Sequence, residues 1–247
     1  MDWIPTHLPY RQTGYFSKII TDYLEQASSL SPFYAHSVSP EGIQASLKAR
    51  QRSPVEREVL VTVLKEQYNA VDSALPVRHN IDRLLQENTF TICTAHQPAI
   101  FTGPLYFLYK IVHTIKLADS LKEKYPGYYF VPVFYMGSED ADLEELGKIF
   151  MDQEKLVWDT KQTGAVGRMK TKGLEKILNR VEGELSVQPF GKDLVSRVKE
   201  IYLGSPDIQT ATFRLLHHLF AEYGLIVLIP DHTALKKLMI PDRKSVV

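Results

Sequence analysis

Between Thr89 and Met136 the sequence spells strand, polar turn, long helix and strand again, an order that leaves few folds open. Thr89-Phe90-Thr91-Ile92-Cys93-Thr94 is β-branched and aromatic and reads as a buried strand. Ala95-His96-Gln97-Pro98 breaks it, and Thr102-Gly103-Pro104 turns the chain once more. From Leu105, the residues Leu105, Leu108, Val112, Ile115 and the Leu117–Ala118 pair recur at helical spacing. Pro104 suits a first helical turn, where a missing N–H costs nothing, and Thr102 or Gly103 can cap just before it. Phe130-Val131-Pro132-Val133-Phe134-Tyr135-Met136 is almost continuously apolar, as in a strand covered on both faces. Two strands joined by one long helix make a parallel βαβ unit. Polar stretches follow both: His96-Gln97 after the first, Gly137-Ser138-Glu139-Asp140-Ala141-Asp142 after the second. Both therefore fall at the carboxyl ends of parallel strands, the edge where open α/β sheets bind ligands.

The rest of the chain fits an α/β protein. Residues 1–88 read as a helical N-terminal layer packed on the core. It has a helix near Tyr15–Leu24, one opened by Ser39-Pro40, one opened by Ser53-Pro54-Val55-Glu56 in a capping box, and a fourth around Asn80–Leu85 after an interruption at Pro76. Residues 89–247 read as the core, with an insertion near 148–200. That insertion holds a hairpin or meander of Lys148–Met151 and Lys155–Trp158, then helices near 171–184 and 191–202. A helix over 207–223 leads to a third apolar strand, Gly224–Asp231. The tail Arg243–Val247 breaks off after a helix has begun near Leu235, as expected of an incomplete core.

Charge and cysteine content narrow the function classes. Lys plus Arg and Asp plus Glu number 29 each, so no general field favours nucleic acid or an anionic membrane. No basic leader followed by an apolar run, and no long apolar span, is present, so a cytoplasmic protein is expected. The single cysteine, Cys93, has no intramolecular partner and reads as a structural thiol in the core.

Within that frame, His96 and Gln97 sit where loop side chains face ligand, as oxyanion donor or proton shuttle; the bland alternative is a histidine serving local backbone groups. Thr102 and Gly103 could offer a hydroxyl and a close-approach N–H to phosphate, or simply cap a helix. Glu139, Asp140 and Asp142 could bind an ammonium or sugar hydroxyls, hold Mg²⁺, or accept a proton, or else form a helix start. They do not define a metal site by themselves. Asp231 ends the third strand at the same edge, as ligand-binding or turn acid. Arg168, in Thr163-Gly164-Ala165-Val166-Gly167-Arg168, could bind phosphate or carboxylates as a bidentate fork. Lys110 and Lys116 read as solvated, and His217-His218 as helix-surface residues that cannot share a metal.

The chain resembles the bacillithiol-biosynthesis cysteine-adding enzymes, a family of cysteine ligases. The residues that carry the likeness are Thr94-Ala95-His96-Gln97 with Phe101-Thr102-Gly103-Pro104-Leu105-Tyr106, and Lys110 with Ile115-Lys116-Leu117-Ala118. To these add Pro132-Val133-Phe134 leading to Ser138-Glu139-Asp140, then Asp142, and Ile226–Asp231. The resemblance implies a Rossmann-like parallel sheet with a core like that of class I aminoacyl-tRNA synthetases, an inserted connecting domain, and a C-terminal coiled coil that mediates homodimerisation. It implies amide formation between the carboxyl group of L-cysteine and the amine of glucosaminyl-malate, the last step of bacillithiol synthesis. ATP, with Mg²⁺, would first activate cysteine as an adenylate, although no Walker loop, Lys-Met-Ser-Lys-Ser or His-x-Gly-His signature is present. It adds Thr94 to the binding residues, and makes His96, Gln97 and Asp140 the catalytic set. The family runs to roughly twice this length, so the chain is expected to be a truncated copy lacking the coiled coil. A non-catalytic nucleotide- or substrate-binding fragment, or a nucleotidyltransferase acting on another small acceptor, is the competing reading.

Overall fold

The computed structural model describes residues 6–241 apart from positions 54 and 153. The expectations for the first five residues and for the tail at 243–247 lie outside the described residues. The chain forms two compact units, residues 1–55 and 56–247. The first holds α1 (Tyr10–Thr13), α2 (Lys18–Leu24) and α3 (Pro40–Arg50). Arg11 ties α1 to the end of α2 through Glu25 and Asp22. Ser39 caps α3 by accepting the Gly42 N–H at 3.1 Å, with Pro40 in the first turn as its sequence dictates.

The second unit opens with α4 (Arg57–Tyr68) and α5 (Leu75–Arg83), then β1 (Thr89–His96), α6 (Leu105–Lys124) and β2 (Tyr129–Met136). There follow α7 (Leu143–Leu146), the strands β3 (Lys148–Met151) and β4 (Glu154–Val157), and the helices α8 (Glu175–Leu185), α9 (Gly191–Leu203) and α10 (Ile208–Phe220). β5 (Ile226–Leu228) and α11 (Thr233–Leu238) complete it. β1, β2 and β5 form a parallel sheet in that order, and β3 pairs β4 antiparallel. The βαβ unit, the hairpin and the α/β class are thus as the sequence indicated.

Packing explains the differences. α6 lies on β1 and β2. It buries Phe107, Ile111, Thr114, Ile115, Ala118 and Leu121, with the Phe107 ring 5.1 Å from that of Phe134. Of the expected stripe, Ile115 and Ala118 lie on this face and Leu108 packs against it, whereas Leu105 is 65% and Val112 43% exposed. Thr102 and Gly103 do not cap α6, whose N-cap is Pro104. Pro76 opens α5 rather than interrupting the chain before it, because its fixed φ is tolerated in a first turn. α4 begins at Arg57, so no capping box forms from Ser53.

β2 is the central strand and is buried along most of its length. Its Pro132 donates no ladder bond, and it sits one residue before the pairing with β5 starts at Val133. β1 is an edge strand, not a buried one: Thr91, Cys93 and Ala95 are exposed, which takes the Cys93 thiol out of the core. β5 is short because it ends at Leu228, before Pro230. Its outer edge is sealed by side chains of α4. The Gln67 amide donates to the Val227 carbonyl at 2.7 Å and accepts the Ile229 N–H at 2.9 Å, while the Tyr68 hydroxyl accepts the Val227 N–H at 2.8 Å.

One core joins α4, α5, α6 and α10 to β2 and β5. A second gathers α8, α9 and α10 around Trp158, Val166, Met169 and Tyr202. Each fully buried Phe or Leu in these cores contributes roughly 1.5–3 kcal/mol. His217 belongs to the first core, not to a helix surface. It packs beside Tyr68 and Phe213, and one ring nitrogen lies 3.2 Å from the Asp72 carbonyl.

Candidate functional site

The carboxyl ends of β1 and β2 frame a cavity of about 380 Å³. Ala95, His96 and Gln97 line it from the first strand, Tyr135 and Gly137 to Asp140 from the second, and Pro230 from the segment after β5. The imidazole-and-amide turn and the acidic turn therefore meet. The Gln97 side-chain amide donates to Asp140 at 3.1 Å, across 43 positions of sequence. This bond, with the backbone N–H of Asp142 at 2.9 Å, holds the Asp140 carboxyl below its ordinary pKa. Asp142 caps α7 by accepting the Glu145 N–H at 3.0 Å, the structural role weighed for it.

His96 is fixed at both ring nitrogens. Nδ1 lies 3.0 Å from its neighbour's carbonyl, that of Gln97, and Nε2 lies 2.9 Å from the Tyr106 hydroxyl. A carbonyl only accepts, so Nδ1 carries the proton, and in the neutral ring Nε2 accepts from the tyrosine. Lys110 donates to the Ala95 carbonyl at 2.6 Å and so is tied to the end of β1, rather than merely solvated.

Beside the cavity stands a four-membered ion cluster. Arg168 grips Asp231 in a bidentate fork at 2.6 and 2.8 Å. Lys236 bridges Asp231 at 2.5 Å and Glu139 at 2.6 Å. The Arg168 guanidinium, aided by Lys236, lowers the Asp231 carboxyl from 3.8 to about 2. Arg168 is therefore occupied by an internal carboxylate rather than held open for a phosphate or malate group. The glycine-punctuated segment before it docks on the acidic turn: Val166 N–H donates to the Asp140 carbonyl at 2.7 Å, and Gly167 N–H to that of Ser138 at 3.1 Å.

Thr94 does not line this cavity, and Thr102 and Gly103 line a different one. That second cavity, of about 360 Å³, is walled by side chains such as Leu108, Phe150, Leu178 and Val198. Phe101 and Thr102 adopt φ values of 52° and 75°, and Phe101 N–H donates to the buried Tyr202 hydroxyl at 2.8 Å. The bend thus points away from the polar cavity. Sequence reasoning overlooked Tyr106, Lys236 and the wholly buried Ser138, whose hydroxyl has no hydrogen-bond partner. Position offered a clue to the first two: Tyr106 lies in the first turn of the helix after the loop, and Lys236 a turn beyond the acid that ends the third strand.

The donor set discriminates among ligands. The lining contains Glu139 and Asp140 but neither lysine nor arginine, and the adjacent cations are paired with acids. Such a wall suits a cationic amine and is a poor match to a polyphosphate, which needs free N–H donors and cations. Among the described residues no group of three or more His, Cys, Asp or Glu is arranged to hold a metal ion.

A parallel sheet whose polar cavity opens at the strand carboxyl ends defines the chain as a Rossmann-like α/β domain. The chain belongs to the bacillithiol biosynthesis BshC family: the model of that family's N-terminal Rossmann-like domain matches residues 4–246. It is 40% identical over 240 residues to a Flavobacterium johnsoniae protein named "Putative cysteine ligase BshC", covering 96% of this chain and 45% of that one. A protein of the same name from Cytophaga hutchinsonii is 40% identical over 222 residues, 90% of this chain and 41% of the relative. The Bacillus cereus protein of that name is 25% identical over 237 residues. The chain thus spans a little under half the length of the curated relatives it matches. No described helix is long and apolar enough to cross a membrane.

Proposed function

We propose that the chain is the catalytic Rossmann-like part of a ligase that joins the carboxyl group of L-cysteine to the amine of glucosaminyl-malate, the last step of bacillithiol synthesis. Family membership supports the reaction class, and the single observation that supports the site is the Gln97–Asp140 bond over the cavity floor. A carboxylate held below its usual pKa is a weak base and a persistent anion. Asp140 therefore binds the ammonium group of an incoming amine instead of deprotonating it. Glu139, on the same wall, is paired with Lys236 and Arg168, so Asp140 carries the charge that meets the amine. The bound ammonium first gives one proton to solvent and so frees its lone pair. Amide formation then makes a C–N bond at the activated cysteine carbonyl, expels the activating group with its electron pair, and releases the second proton from the nitrogen. His96 Nε2 takes that proton when the Tyr106 hydroxyl turns away, and the Gln97 carbonyl steadies the resulting imidazolium through Nδ1. ATP is proposed as the source of activation. No step assigned to this cavity runs through a nucleotide, because the lining does not suit one.

The test combines L-cysteine, glucosaminyl-malate and ATP with this chain and, in parallel, with the full-length Flavobacterium johnsoniae relative, reading the new amide by mass spectrometry. Asp140→Asn in this chain is expected to weaken binding of glucosaminyl-malate by about tenfold or more, with an unchanged melting profile, since a paired ion is worth roughly 1–3 kcal/mol. Amide formation by neither protein defeats the ligase reading. Unchanged binding in Asp140→Asn removes Asp140 from the site.

A further inference from the structure

Ser138 combines three properties: it lines the polar cavity, it is wholly buried, and its hydroxyl has no partner among the described residues. The backbone of the same residue is fully used. Its N–H donates to the Met136 carbonyl at 2.8 Å, and its carbonyl accepts the Gly167 N–H at 3.1 Å. The other buried side-chain atoms that lack a partner all lie on residues outside this cavity. One flank of Ser138 is closed by the glycine segment. A Cβ on Gly167 would stand 2.7 Å from the Ser138 Cβ, so that position brings backbone against the serine and no side chain to meet its hydroxyl.

A buried hydroxyl left unpaired costs stability that alanine in its place would not. Such a group is explained where another state of the protein pairs it, and on a cavity wall that state is the filled cavity. No base hydrogen-bonds the hydroxyl, so it is not an activated nucleophile. A hydroxyl both donates and accepts, which matches an alcohol better than a bare cation. Asp140 follows two positions on, so the group that meets Ser138 sits close to the amine on the same ligand. We infer that the Ser138 hydroxyl hydrogen-bonds a ligand hydroxyl on the carbon next to the amine-bearing one, and so selects vicinal amino alcohols over simple amines. The inference rests on the reading of the cavity as an amine site and adds the substrate class to it. In glucosaminyl-malate only one neighbouring carbon offers a free hydroxyl, because the other carries the glycosidic oxygen. A site built to pair a ligand hydroxyl rejects the analogue without it, since its own buried group then stays unpaired.

Titration calorimetry with glucosaminyl-malate and with the deoxy analogue lacking that one hydroxyl tests the assignment on this chain and on Ser138→Ala. The native chain is expected to bind the deoxy analogue about tenfold more weakly. Ser138→Ala should bind the two alike, within about twofold, because the protein half of the pair is gone. Its urea midpoint should equal or exceed that of the native chain, since an unpaired buried group has been removed. Asp140→Asn should weaken both ligands by the same factor and keep the native ratio. Equal affinity of the native chain for both ligands overturns the assignment and leaves the amine site standing. So does a preference that survives Ser138→Ala, or a fall in that variant's midpoint, which would show the hydroxyl partnered within the fold. Binding of neither ligand to the native chain overturns the amine reading and this inference together.

Discussion

Gly167→Ala isolates the contact that braces the acidic turn. A Cβ at position 167 would stand 2.4 Å from the Ser138 carbonyl oxygen and 2.7 Å from the Ser138 Cβ. Neither neighbour is a flexible side-chain end, so the segment must withdraw from the turn. Overpacking of this kind costs about 1–3 kcal/mol. Withdrawal also stretches the Gly167 N–H bond to Ser138, worth about 1 kcal/mol, for a total of roughly 2–4 kcal/mol. Urea unfolding followed by circular dichroism should show a lower midpoint at unchanged slope, since the surface exposed on unfolding is the same. Gly183→Ala is the internal control. Gly183 lies in α8 with nothing within 4 Å of an added Cβ, and there alanine should stabilise by roughly 0.5–1 kcal/mol. A loss below about 0.5 kcal/mol in Gly167→Ala, with the control behaving as stated, refutes the idea that the glycine segment leans on the turn that carries Asp140.

Asp231 has a folded pKa below its unfolded value, so its contribution is complete above about pH 4 and disappears as pH falls towards 2. The drop from 3.8 to about 2, discounted because Arg168 and Lys236 are largely exposed, amounts to roughly 1–2 kcal/mol. Asp231→Asn should remove that much at pH 7 and flatten the acid limb of the stability curve; an unchanged limb counts against the cluster. Tyr68→Phe strands the buried Val227 N–H and should cost about 1–3 kcal/mol in chemical denaturation, whereas a neutral result means water replaces the hydroxyl. Burial holds the His217 pKa below 6.5, so the unfolded chain takes up a proton first and stability should fall as pH drops below that value. His217→Gln should lose this slope, and retention of the slope would assign it elsewhere.

How far the sequence reached depended on which force set each feature. Where local chemistry decides, the reading held: Ser39 caps α3 and the hairpin of β3 and β4 forms. The meeting of Gln97 with Asp140 also followed from local pattern, because a βαβ unit puts both loops at one end of the sheet. Tertiary decisions were invisible. The apolar residues of α6 form two stripes, and only the position of the sheet selects Phe107 and Ile111 over Leu105 and Val112. Cys93 looked buried because a β-branched strand is the same string of letters at an edge or a centre. Arg168 looked free because its partner lies 63 positions away.

The sealed flank of β5 limits what this molecule can become when crowded. Gln67 copies the donor and acceptor spacing of a neighbouring backbone, so sheet growth by accretion stops on that side. Two molecules joining through the outer edges of β1 would use up both, giving a two-fold closed pair whose parallel sheets have no free edge left for a third. Endless cross-strand polymers, the usual hazard of a naked parallel sheet, are thereby denied a direction in which to propagate.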